Sequence, residues 1–531
     1  MKQPHTILRL AAVLLLAFLA GCPVVKHYQL KAAVEAYRRQ LRAHGEKLTI
    51  AELTPPPPTN GPNGASALSF AASQLGSLQN PVPAMTAVAP GRARVAWAEA
   101  VLPTEDTTNL WPVLAAAVET NQAALDAVRA AVASPVLQFD LDYSLGPALP
   151  LPHLASLKKA AQWLASVTLL NLHEGRSSEA WEDLRATTAL AARYGDEPLL
   201  ISQLVSIAIN QILLSATWEA LQAPGWTDDQ LAELQAAWAS PDFLRRAEAS
   251  FAMERAMGRQ IFAQWRDSYD DYRSMVDFPL NGAAANTSGL LDYGEEFLKH
   301  PAAVLRRTPI GYLAWRWLWS YEDELVAAQH YQAALEAVRT ARSDLAFTTA
   351  LKNFDTAADR VSKSHPHADD WLPFITPELM RSVLLKLADI ETERRLVVAA
   401  LAVRRYQLRQ GRNPGELRAL VPEFLAAVPL DPMDGQPLRY RLNADGSFLL
   451  YSVGEDGVDN GGDPSPVVSA STGTMKTWWR ARDAVWPRPA SAAEVDAWET
   501  EQARQHPRAR TVGRPALPAA PGGAAPTNSS P

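Results

Sequence analysis

The chain has 531 residues, a formal net charge of −7, 47% hydrophobic residues and one cysteine. That length and apolar content allow a sizeable core and more than one domain. An excess of acid with no long basic block excludes a nucleic-acid groove, and a single cysteine excludes an internal disulfide framework.

Lys2 and Arg9 precede an apolar run over residues 10–20, which leads into Leu19-Ala20-Gly21-Cys22. Crossing the hydrocarbon of a bilayer takes roughly 20 apolar residues, so this shorter run ending in small residues is a targeting signal and not a spanning helix. The string resembles the lipobox of bacterial lipoproteins. The resemblance implies removal of residues 1–21 and attachment of diacylglyceryl, and further acyl chains such as palmitate, at Cys22. Each buried methylene contributes about 0.8 kcal/mol and one chain alone binds marginally, so two or three chains hold firmly. Residue 23 is Pro, not the Asp that commonly retains lipoproteins in the inner membrane, which favours the outer membrane. The expected location is the cell envelope, facing the periplasm, with the membrane as a partner through Cys22 and an envelope or secretion-system protein as a further one.

Residues 22–64 are expected to form a tether. Leu30, Val34, Tyr37 and Leu41 recur at helical spacing, Gly45 ends the helix, and the Pro-rich stretch from Pro55 to Gly64 makes a linker or a surface strap. Residues 65–375 are dominated by Ala, Leu, Glu, Gln and Arg in runs of helical period, predicting an all-helical domain. Its clearest unit is residues 154–221, three helices joined by short turns at 174–178 and 195–198, which makes neighbours antiparallel. Glu254-Arg255 and Glu393-Arg394 suggest buried ion pairs between helices. The aromatic run from Tyr312 to Trp319 suits a packed helix, with a pocket or a membrane interface as alternatives. Asp267, Asp270 and Asp271 suit an exposed helix end. His365-Pro-His367-Ala-Asp369-Asp370 carries enough ligands for a transition metal, so a metal site near His365 and His367 in an envelope hydrolase is the alternative function.

Residues 376–470 change character. Thr376-Pro377-Glu378 is a strong helix start and Gly411 a stop, and the stretch 396–403 is apolar on every side, predicting burial all round. Residues 438–442 and 447–453 flank Asn443-Ala-Asp-Gly446, a hairpin signature. The loop over residues 454–463 follows, with Glu455, Asp456, Asp459, Asn460 and Asp463 as oxygen donors and four glycines. Hard cations prefer such donors, and nitrogen or sulfur ligands for zinc are lacking; a solvated acidic turn accounts for the same residues.

The order Tyr406, Gly411-Arg-Asn-Pro414, Leu430-Asp431-Pro432, Tyr440 and Ser452-Val-Gly454-Glu-Asp456-Gly457 resembles the globular part of the major pseudopilins of type II secretion. The resemblance implies a calcium-binding loop, with Asp456 at the family's aspartate position and Asp459 and Asp463 as further metal ligands. The sequence also looks like large lipoproteins of environmental bacteria that combine a helical body with this ending. A Gly-x-Ser-x-Gly elbow, a dinucleotide fingerprint and a P-loop are all missing.

The sequence therefore predicts a mainly α protein, a helical-hairpin body with a small C-terminal α+β module. A C-terminal extension over residues 471–504 and a disordered Pro/Ala/Gly tail over 505–531 complete the chain. The expected function is a non-enzymatic binding or structural role in a lipid-anchored envelope protein with a Ca²⁺-stabilised module, without catalytic residues.

Overall fold

The computed structural model describes residues 4–57, 61–78, 81–103, 109–277, 306–344, 346–365, 376–466, 468–469, 473–474 and 481–505. The architecture is mainly helical, as the periodicity predicts. Capping chemistry sets many of the boundaries. Thr227 and Gln230 form a reciprocal capping box at Asp228–Ala239, and Asp242 accepts the Arg245 amide at the start of Phe243–Asp267. Each such side chain satisfies a backbone donor that the helix leaves open.

The three-helix unit appears as His153–His173, Ser177–Arg193 and Leu200–Gln222. Gly175, with φ of +73°, makes the first reversal, a conformation that a Cβ disfavours. Leu200–Gln222 is the one described helix long and apolar enough to cross a membrane, yet it packs against both neighbours and contributes Leu213, Leu214 and Trp218 to the main core. Burying an aromatic such as Trp218, 0% exposed, contributes about 3–5 kcal/mol relative to alanine.

The long helix Pro377–Gln410 starts and stops where its caps place it. Thr376 accepts the Leu379 amide, and Gly411 takes the left-handed conformation at φ of +70°. Leu396, Val397, Leu401 and Val403 join Leu164 and Leu214 of the body, and Leu450 and Trp486 of the C-terminal strands, in one cluster. Packing is thus continuous across residue 376, where composition suggests a new domain. A helix that is apolar all round needs cover on every side, and the body supplies it.

Two expectations need correction. The region 65–375 is not all helix: Thr86–Ala89 and Arg92–Arg94 form a hairpin turning at Gly91, too short for an alternating pattern to show. The anticipated ion pairs also form differently. Arg255 reaches Glu46, at 3.0 Å, while Glu254 accepts the Leu200 amide. Arg394 pairs with Glu391 at 2.6 Å, whereas Glu393 is fully buried and, among the described residues, accepts only a long bond from Gln211. Adjacent helix positions point about 100° apart, so Glu254 and Arg255, like Glu393 and Arg394, face different neighbours and do not pair with each other.

The predicted hairpin is Arg439–Leu442 against Phe448–Ser452, with Tyr440 opposite Leu450. Residues 481–490 do more than extend the chain. Ala484–Val485 pairs with the hairpin, Arg488–Pro489 runs parallel to Arg92–Arg94, and Trp218 donates to the Pro487 carbonyl at 2.9 Å. This segment stitches both small sheets to the central helices before Ala492–Gln505 closes the described chain. The Pro-rich stretch behaves as a strap, with Asn63 and Pro56 both bonded to Gln138.

Candidate functional site

The loop over residues 454–463 leaves the second hairpin strand at a fixed angle because the buried Asp431 carboxylate holds its root. Asp431 accepts from the Ser452 hydroxyl at 2.7 Å, the Val453 amide at 2.9 Å and the Arg439 guanidinium at 3.0 Å. Glycine is required at two points. A Cβ on Gly454, φ +70°, would lie 2.6 Å from the Arg482 carbonyl oxygen, and one on Gly462, φ +82°, 2.6 Å from the Leu449 side chain.

The candidate ligands each face a different partner. Asp456 accepts the Val458 amide at 2.9 Å in a turn of its own. Asp459 accepts from the Gly461 amide and the Tyr451 hydroxyl, both at 2.9 Å, and lies 3.6 Å from the Arg439 guanidinium. The Gly461 amide is the main reason its carboxyl sits below the usual range. Asp463 accepts from the Ser465 amide at 3.0 Å, with Arg482 3.8 Å away, and its carboxyl is lowered chiefly by Ser465. Glu455 pairs outward with Arg381 at 3.3 Å. Among the described residues no group of three His, Cys, Asp or Glu side chains gathers as a metal shell.

The centre of the loop is occupied by Asp483, which sequence reasoning missed. Its fully buried carboxylate accepts the amides of Asn460, Gly462 and Asp463 at 3.3, 2.7 and 2.9 Å. In return the Asp483 amide donates to the Asp463 carbonyl at 2.9 Å. Three converging amides form an anion nest, and here the chain supplies the anion. Arg482-Asp-Ala-Val485 carries no periodicity that would mark it. Asp431 had a signal, since the Asp-Pro dipeptide marks a turn.

At the second candidate, His365 caps the helix Phe347–Ser364, its Nδ1 3.2 Å from the Val361 carbonyl; His367, Asp369 and Asp370 lie outside the described residues. The anchor candidate, Cys22, lies within the helix Pro4–Ala43. The part after it docks on the body: Lys26 pairs with Glu322 at 3.2 Å, Arg38 bonds to Glu324, and Val34 and Leu41 are buried. The His27 ring lies 4.6 Å from that of Trp317.

Trp317 belongs to Pro309–Leu318, where the aromatic run divides into two faces. Tyr312 and Trp315 are buried, the latter donating to Asp323 at 2.7 Å. Ile310, Leu313 and Trp317 are 72%, 51% and 40% exposed. Val24, Val25 and Tyr28 of the N-terminal helix are exposed as well, and the contact of His27 with Trp317 sets that helix beside Pro309–Leu318. No family model, curated protein or solved structure matches this chain.

Proposed function

We propose that this protein is a lipid-anchored component of the bacterial envelope, acylated at Cys22 and facing the periplasm, on the outer in preference to the inner membrane. Its role is binding or structural. The observation that carries the proposal is the Leu19-Ala20-Gly21-Cys22 string after a short apolar run. The docked helix that follows, and the exposed Ile310, Leu313 and Trp317 beside it, support the reading. Acyl chains at Cys22 would bring this face to the bilayer, and aromatic rings with apolar neighbours favour the lipid–water interface.

Calcium at Asp456, Asp459 and Asp463 belongs to the same proposal and rests on donor chemistry, all oxygen. Arg439 and Arg482 already face Asp459 and Asp463, so a cation would have to displace these contacts. Weak affinity, of the order of 0.1–1 mM as in extracellular modules, is therefore expected.

The test is Cys22→Ser in the full chain, followed by labelling with a palmitate analogue. A hydroxyl does not accept the thioether-linked diacylglyceryl group, so label and normal signal cleavage should both be lost. Undiminished labelling and membrane attachment in this variant would overturn the proposal.

A further inference from the structure

The long helix Pro377–Gln410 carries six arginines, and five have carboxylate partners. Arg381 pairs with Asp355 at 3.1 Å, Arg394 and Arg395 with Glu391 at 2.6 and 2.8 Å, Arg405 with Asp228 at 2.8 Å, and Arg409 with Glu423 at 2.6 Å. Arg404 is the exception. It is half-buried, its Nη1 donates only to the neutral Gln407 side chain, and its buried Nε has no partner among the described residues. Burial pushes its pKa down, and no carboxylate among the described residues offsets the effect. A guanidinium stays charged at any physiological pH, and leaving a desolvated charge uncompensated is costly.

Arg404 lines a cleft of about 280 Å³ between this helix, the end of Leu200–Gln222, the hairpin and the stitching segment. The far side carries a second guanidinium, Arg488, whose Nη1 donates to the Ser447 hydroxyl at 3.0 Å. Phe448, Trp486, Pro487 and Val403 supply apolar walls, and Asn413 a polar edge. Asp445 and Glu494 act on Arg488 electrostatically, so the uncompensated charge of the cleft is that of Arg404. Apolar walls with a few convergent polar groups are the usual composition of a small-molecule site.

We infer that this cleft binds a small amphipathic anion, its carboxylate or phosphate on Arg404 and its apolar body against Phe448 and Trp486. A planar carboxylate or a phosphate matches the guanidinium fork, and an apolar body replaces water on the aromatic walls. The volume admits a ligand about the size of a substituted benzene ring and excludes a folded partner. The inference does not depend on acylation at Cys22.

The experiment is calorimetric titration of the full chain with phenylacetate, phenyl phosphate, inorganic phosphate and the neutral phenylacetamide. At least one aromatic anion should bind at millimolar concentration or better, and which of the two binds identifies the head group. Arg404→Met keeps the apolar stem and removes the charge. It should weaken that binding about tenfold or more, the loss expected for a charge-assisted hydrogen bond. Without ligand the variant should unfold at the same temperature as the wild type or higher. Binding of phenylacetamide as tight as that of phenylacetate would overturn the inference, as would inorganic phosphate matching phenyl phosphate. So would the absence of binding by both aromatic anions, and so would a lower unfolding temperature for Arg404→Met, which would make the arginine a structural residue.

Discussion

Replacing Asp483 separates an organiser of the acidic loop from a ligand of it. The carboxylate accepts three amides, Gly462 and Asp463 through one oxygen at 2.7 and 2.9 Å and Asn460 through the other at 3.3 Å. Asp483→Ala leaves all three donors facing an apolar methyl in a buried site. Hydrogen bonds to a charged acceptor contribute about 1.5–3 kcal/mol each, and orphaned donors add desolvation. Because the 3.3 Å bond is weak and water can enter the space vacated, we expect a loss of about 3–5 kcal/mol in this module. Asp483→Asn can turn its carbonyl oxygen toward Gly462 and Asp463, losing the charge and the weak bond, so its loss should be about 1–2 kcal/mol. Urea unfolding gives the magnitudes, and hydrogen exchange at the Gly462 and Asp463 amides locates the effect. If both variants keep wild-type protection there, the carboxylate is not what shapes the loop; if Asn is as damaging as Ala, an amide oxygen does not stand in for the carboxylate and the negative charge itself is required.

Calcium removal has a contrasting expectation: because amides and arginines already engage the loop carboxylates, chelation should lower the unfolding temperature only slightly, and Asp456→Asn with Asp459→Asn should abolish what calcium binding calorimetry detects. A large destabilisation by chelator would show that the protein-only bonds do not hold the loop. One contribution to the pH dependence comes from Glu219, which burial raises from 4.5 to about 7, although the Met85 and Ala96 amides, at 2.8 and 3.0 Å, pull the other way. A raised carboxyl binds its proton more tightly in the folded state, so its contribution is complete below about pH 4.5 and is lost as the pH rises through about 7. Glu219→Gln imitates the protonated form. Relative to wild type it should gain about 2–3 kcal/mol between about pH 5 and pH 8, and parallel stability curves for the two proteins would contradict this.

Local chemistry made a large part of the fold legible. The helix from Thr376 to Gly411 needed only a hydroxyl, a proline and a glycine at fixed places, and the hairpin needed Asp445-Gly446 between an alternating run and an apolar one. The turns around Gly175 and Pro198 likewise fixed the three-helix unit. The short pair 86–89 and 92–94 escaped notice because each strand is too brief to alternate, and its parallel partner at 488–489 lies nearly 400 residues away in the chain. The same distance effect hid Arg404, since nothing in Val403-Arg404-Arg405 says that one guanidinium will find Asp228 and the other will not.

The acidic loop divides the two kinds of information most clearly. By itself the sequence determined that oxygen donors and flexible glycines would cluster after the hairpin, because those properties belong to the residues. It also determined the short apolar run before Cys22, whose length and flanks are local. Which charge each donor would meet was decided only when the chain closed, placing Asp483 inside the loop, Arg439 against Asp459 and Glu455 on Arg381. Electrostatic partners are chosen by separation in space, and an interaction that falls off with distance and dielectric leaves no trace in the order of residues along the chain.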